Sequence, residues 1–166
     1  ATAAIVFKTV VDPFIGKLTF VKVVAGKLTA DSPVINMRTG EQERMIKMYY
    51  MCGKKQEETK CICAGDIGAI PKLQHTNTGD TLCSPTRKVV LEGVTYPEPV
   101  LSMAILPKQK GEEDKVAQGV LRLLEEDPTL KFVNNAETHQ MILSGLGEQH
   151  LDVVVSKLKG KFGLDV

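Results

Sequence analysis

Gly145-Leu146-Gly147-Glu148-Gln149-His150 packs more chemistry into six residues than any other part of this sequence. Its glycines expose backbone N–H groups just ahead of a helix start, a geometry that can cradle an anion. A carboxylate, an amide and an imidazole follow directly. A dinucleotide fingerprint needs a third glycine where His150 stands, so pyrophosphate binding is not expected. Two readings stay open from the residues alone. One is a tight turn whose glycines let a strand and a helix pack closely. The other is a docking surface of exposed backbone, with Glu148, Gln149 and His150 as polar contacts.

Other chemistry is hard to find. Each Gly-Lys pair (Gly16-Lys17, Gly26-Lys27, Gly53-Lys54, Gly160-Lys161) lacks the Ser or Thr that completes a phosphate-binding loop. The chain alone is therefore not expected to bind or hydrolyse GTP. His75, His139 and His150 are scattered, and no Cys sits beside a His in a nucleophile pattern. Cys61-Ile62-Cys63 is too tight for the usual structural zinc pair. Side chains at i and i+2 share one strand face, so these thiols read as small buried hydrophobes. Reduced thiols are expected for all four cysteines. No catalytic, metal-binding or cofactor-binding residue is assigned.

The 166 residues carry 21 basic and 20 acidic side chains, a net charge of +1. No global field draws the chain to nucleic acid, so an RNA contact must be local. Candidates are Arg38, Arg44, Lys47, Lys54 and Lys55, with Lys157, Lys159 and Lys161 near a helix end. Each also reads as part of a solvated face, and the last three complement a helix dipole. No apolar run approaches the ~20 residues of a membrane helix, and no signal peptide opens the chain. The start at Ala1, without Met, reads as an excised piece.

These residues need elements to hold them. Ile5–Val11 and Lys17–Val24 are β-branched and alternating, with a Pro- and Gly-bearing turn at Asp12–Gly16. Ala25–Leu28 punctuates the pattern, and short strands are expected around Pro33–Met37, Glu43–Met51, Asp66–Leu73 and Lys88–Leu91. Gly-rich turns between them argue for a closed antiparallel barrel over residues 1–93. Residues 94–99 form a linker stiffened by Pro97 and Pro99.

Residues 100–166 change character. Val100–Leu106 reads as a strand. A helix starts near Gly111–Asp114, buries Val116, Val120, Leu123 and Leu124, and stops at Asp127-Pro128. Gly119 weakens that helix by about 1 kcal/mol relative to Ala, so it marks a close approach. Strands at Leu130–Val133 and Met141–Ser144 flank a turn at Asn134–His139. A second helix over Glu148–Lys161 buries Leu151, Val154, Val155, Leu158 and Phe162, and Gly163–Val166 begins a fourth strand. The order β-α-β-β-α-β is the ferredoxin-like arrangement, with its last strand truncated.

Several stretches together resemble elongation factor G, a translational GTPase, over nearly the whole chain. The opening Val6-Phe7-Lys8 through Asp12–Phe20, then Ala64–Ile70 and Thr78–Leu82, resemble its second domain. Pro97–Val100, Glu125–Thr129 and Glu137–Leu151 extend the likeness into its third domain. The family's order and spacing are kept. The resemblance implies a barrel that packs on a GTPase domain and touches small-subunit rRNA. It implies a third domain that meets the GTPase switches and a small-subunit ribosomal protein, coupling nucleotide state to movement of tRNA and mRNA. Pro97 and Pro99 match the interdomain hinge. Gly145, Leu146, Gly147, Glu148 and His150 match the switch-facing turn, which borders the fusidic-acid pocket, and Gln149 completes that surface. The resemblance places GTP and Mg2+ in the parent protein and none in this chain, which is cytoplasmic and has no membrane partner. Gln149 stands where the family pattern is apolar, and Met51–Gln56 replaces a loop that usually carries His and Asn. Both departures point to a diverged paralogue.

A ribosomal protection or release-factor GTPase shares these domains. A free-standing RNA-binding module is a rival of another class and would display aromatic residues on an exposed strand face. The chain has no Trp, and its Phe and Tyr residues mostly fall in core patterns. A small ferredoxin-like enzyme would need an oxyanion-binding Arg or Asn beside a tight turn, and no such set is evident.

Overall fold

The computed structural model describes residues 1–12, 16–53, 55–135 and 140–166. Lys54 and His139 lie outside the described residues, as does most of the Asp12–Gly16 turn. The chain divides into two compact units, Ala1–Val94 and Thr95–Val166.

Among its described residues the first unit holds ten strands: β1 (Ala3–Asp12), β2 (Gly16–Ala25), β3 (Lys27–Thr29), β4 (Pro33–Asn36), β5 (Gln42–Arg44), β6 (Met48–Cys52), β7 (Lys55–Thr59), β8 (Cys61–Cys63), β9 (Ile67–Pro71) and β10 (Thr81–Cys83). Eight form one antiparallel sheet in the order β5-β4-β10-β1-β2-β9-β6-β7, and β3 pairs with β8 separately. The expected barrel is thus a curled sheet with edges at β5 and β7 among the described residues. Alternation decides which face turns inward. Val21 and Val23 of β2 are fully buried while Lys22 and Val24 face out. Val6, Leu28, Met45, Met48, Ile62, Ile70 and Leu82 complete the inner core.

Three local expectations change. Glu43–Met51 is two strands, β5 and β6, rather than one. Lys88–Leu91 is not a strand, despite its β-branched residues. It lacks a ladder partner and is tied down by one side chain, the Thr81 hydroxyl accepting from Leu91 N–H at 3.0 Å. Cys61 and Cys63 do not enter the core. Ile62 between them is fully buried, so alternation turns the thiols outward, Cys61 half-buried and Cys63 exposed.

The second unit runs β11 (Leu101–Ile105), α1 (Glu113–Glu126), β12 (Lys131–Asn135), β13 (Gln140–Gly145) and α2 (Glu148–Phe162). The sheet order is β11-β13-β12, all antiparallel. Both helices pack on one face, where Ile105, Met141 and Leu143 meet Val116, Val120, Leu123, Leu151, Val154 and Leu158. Gly119 does mark a close approach. A Cβ there would sit 2.9 Å from Leu164 Cδ1 and 3.1 Å from Leu158 Cδ2. Gly163–Val166 forms no strand. Gly163 is the left-handed C-cap of α2 (φ 67°), and Leu164 N–H donates to Leu158 C=O at 3.2 Å. That cap folds Leu164 into the core at 7% exposure. Val155 and Phe162, expected in the core, are only partly buried.

Candidate functional site

The Gly145–His150 stretch joins β13 to α2. Gly145 closes the sheet edge, its carbonyl accepting from Val100 N–H at 3.0 Å. A Cβ there would lie 2.8 Å from Leu151 Cδ2 and 3.0 Å from His150 Nδ1, so glycine lets both side chains close on the turn. Leu146 follows at 40% exposure, an apolar tip in water. Gly147 is the N-cap in extended conformation and supplies no side-chain cap to the helix. Glu148 and Gln149 are exposed and His150 is half-buried.

His150 binds inward. Its Nδ1 accepts from Leu146 N–H at 3.0 Å, and its Nε2 lies 2.8 Å from Asp127 Oδ2. A backbone N–H can only donate, so Nδ1 holds the lone pair and Nε2–H donates to the carboxylate. The other oxygen of Asp127 accepts from Thr129 N–H at 2.9 Å and from the Thr129 hydroxyl at 2.5 Å. Partial burial pushes the Asp127 carboxyl up, yet the Thr129 and His150 hydrogen bonds outweigh it and hold the group below its usual range. The result is a latch from the α1–β12 loop to the tip of the β13–α2 turn. It leaves Leu146, Glu148 and Gln149 facing solvent. The arrangement holds no nucleophile, and the described residues contain no group of three or more His, Cys, Asp or Glu placed to hold a metal. What it offers is a braced turn with an exposed apolar tip and two exposed polar side chains.

The basic candidates are mostly engaged. Arg38 grips the buried Asp80 through two prongs, Nε to Oδ1 at 2.6 Å and Nη2 to Oδ2 at 3.0 Å. Asp80 also accepts from Asn36 Nδ2 at 2.7 Å and Asn77 N–H at 2.8 Å. Its burial raises the carboxyl, but these donors, Arg38 foremost, bring it below the usual range. Nearby, buried Glu43 accepts from His75 N–H at 2.7 Å and the Thr76 hydroxyl at 2.9 Å. Arg44 pairs with Asp31 at 3.4 Å, Lys47 with Glu58 at 3.5 Å and Lys55 with Glu57 at 2.7 Å. Lys157 and Lys161 both reach Glu126, and Lys159 reaches Asp165 at 3.0 Å. The exposed pairs contribute at most about 1 kcal/mol each, so a phosphate can displace them. Arg38 is different, since leaving would strand a buried carboxylate.

Pro97 is exposed and Pro99 half-buried in an irregular segment with trans peptide bonds. Asp127 and Asp80 are the partners that the sequence does not single out. In the sequence Asp127 reads only as a helix stop, and Asp80 only as part of a turn-like motif. A signal exists for each, an acid beside a Pro or Gly at an element boundary, but its partner lies 23 or 42 residues away.

Comparison with known proteins agrees with this architecture. Residues 1–85 match the family model for elongation factor G domain 2, and residues 96–166 match that for elongation factor G domain III. A crystal structure of a protein from Thermus thermophilus superposes with a TM-score of 0.86 at 29% identity. The match covers 99% of this chain and 25% of that one, so the chain spans about a quarter of that relative's length. No helix among the described residues is long and apolar enough to cross a membrane. The chain belongs to the elongation factor G family and carries its domains 2 and III.

Proposed function

We propose that this chain is the mechanical middle of an elongation-factor-G-like GTPase that moves tRNA and mRNA through the ribosome. The observation that carries this reading is the pair of family matches, domain 2 then domain III, in one chain and in that order. The barrel serves as a rigid spacer against the parent's GTPase domain and small-subunit rRNA. Arg44, Lys47, Lys54 and Lys55 are its candidate phosphate contacts. Arg38 is assigned to holding Asp80, on the strength of its two-pronged bond. Pro97 and Pro99 form the hinge.

The second unit senses the GTPase switches through Gly145, Leu146, Gly147, Glu148 and Gln149, with His150 setting the turn from behind, and it meets a small-subunit ribosomal protein. Two features support this role: the turn carries an exposed apolar tip, and a single imidazole ties its backbone from behind, so one side-chain rotation can release it. GTP and Mg2+ belong to the parent's GTPase domain, where hydrolysis proceeds by phosphate positioning. This chain contributes no catalytic group, and the protein works in the cytoplasm. The test is GTP turnover by the full-length parent with and without ribosomes, beside nucleotide titration of this chain. The reading expects ribosome-stimulated turnover in the first and no binding in the second. Specific GTP affinity in this chain would overturn the division of labour.

A further inference from the structure

We infer that the outer face of β1, β2 and β9 is a stacking site for an unpaired nucleobase of single-stranded RNA, built on Phe7 and Phe20 and flanked by Lys8 and Lys22. The backbone creates it. Regular alternation would place Phe7 and Lys8 on opposite faces of β1. A register shift between Val6 and Lys8, where β1 pairs with β2, breaks that alternation. Such an irregularity re-aims side chains. Val6 and Thr9 stay buried while Phe7 and Lys8 both face out, Phe7 at 39% exposure. Across the ladder, Phe20 is the partner of Lys8. The two rings meet edge to face with centroids 6.3 Å apart, and the Lys8 ammonium stands 5.9 Å from the centre of the Phe20 ring. Two residues along β2, Lys22 lies opposite the exposed Ile67 of β9.

Charge decides the partner. The basic candidates chosen from sequence and described here all have a carboxylate within 4.0 Å. Lys8 and Lys22 have none among the described residues. Asp66, beside Ile67 in the sequence, accepts from the Tyr50 hydroxyl at 2.9 Å rather than from either lysine. Two ammonium groups without a carboxylate partner, beside an exposed Phe7 and a half-buried Phe20, match a phosphate chain with a splayed base, since aromatic stacking and backbone charge together bind single strands. The chain's overall charge of +1 adds no field of its own, so the attraction is confined to this face. RNA as the partner rests on the ribosomal reading above; the patch itself does not.

The test uses the full chain and a fluorescein-labelled mixed-sequence RNA of about 12 nucleotides, within the span one such face can track. The RNA is offered single-stranded or annealed to its complement, and anisotropy is followed at several salt concentrations. Single-stranded RNA should bind more tightly than the duplex. Phe7→Ala should weaken it by about tenfold, the effect of losing one stacked base, and leave the salt slope unchanged. Phe7→Tyr should restore binding. Lys8→Ala and Lys22→Ala should each lower the salt slope by about 0.7. Far-ultraviolet circular dichroism confirms that each variant is folded. No binding, equal affinity for duplex, or an indifferent Phe7→Ala would overturn the inference. So would protection of this face by the GTPase domain in the RNA-free parent, which would make it a protein interface. Failure of the ribosomal reading itself appears separately, as GTP turnover in the parent that ribosomes do not stimulate.

Discussion

Two turns in this molecule are each secured by an aspartate, and they are secured to different degrees. In the barrel, Asp80 is 4% exposed and gathers Arg38, Asn36 and Asn77 N–H, while Glu43 holds His75 and Thr76 of the same loop. In the second unit, Asp127 is 31% exposed and reaches the Gly145–Gly147 turn through one imidazole. Moving the first loop means uncovering two buried carboxylates. Releasing the second means turning one side chain. The roles proposed for the two units, a spacer and a part that answers to a partner, call for these two kinds of turn.

The largest test of this contrast is Asp80→Ala. It leaves the half-exposed Arg38 to water but takes the acceptor from Asn77 N–H and one of the acceptors of Asn36 Nδ2, and should cost about 2 kcal/mol in urea unfolding of the barrel. Asp80→Asn should cost less, because an amide oxygen still accepts. Next is Gly119→Ala in α1. Helix propensity favours Ala by about 1 kcal/mol, but the new Cβ meets Leu164 and Leu158 within 3.1 Å. Overpacking should win, for a net loss of about 1–2 kcal/mol confined to the second unit. His150→Ala removes two hydrogen bonds and should cost about 1–2 kcal/mol there. Leu146 amide exchange should rise more than exchange at Leu143. Equal acceleration at both would mean that the imidazole merely supports the core.

Smaller effects follow from pH. Asp80 and Asp127 are both held below the ordinary value of 3.8. A depressed carboxyl contributes stability that is present above its unfolded pKa and lost as pH falls through the folded one. Both units should therefore weaken below about pH 4, the barrel more because Asp80 is the more buried. At the alkaline end, the bond to Asp66 is the main reason the Tyr50 phenol is pushed up to about 12. That contribution is complete below the unfolded value of about 10 and should fade between pH 10 and about 12. Arg44→Ala and Lys47→Ala should shift unfolding by no more than about 0.5 kcal/mol, as exposed pairs do.

Much of this architecture is legible in the residues because it rests on local periodicity. The alternation of Lys17–Val24 and the helical spacing of Val116, Val120 and Leu123 each point to the right element. The close approach at Gly119 follows from a glycine placed where helix propensity argues against one. What the residues do not show is non-local. Lys88–Leu91 has strand composition without a partner strand, and no local rule reveals a missing partner. Cys61 and Cys63 share a face as expected, but Ile62 decides which face turns inward. The irregularity that brings Phe7 out of β1 leaves no mark in a hydrophobicity pattern. His150 stands out at once, whereas the acid that accepts from its Nε2–H lies just past the end of α1.

The most direct measurement is the rate of GTP hydrolysis by the full-length parent, with and without ribosomes, for the native sequence and His150→Ala at a temperature where both are folded. Ribosomes should accelerate the native protein strongly. The variant should keep its ribosome-free rate while losing most of that acceleration. Equal acceleration of both proteins would leave the latch with no part in signalling, and no acceleration of either would remove the ribosome from the account.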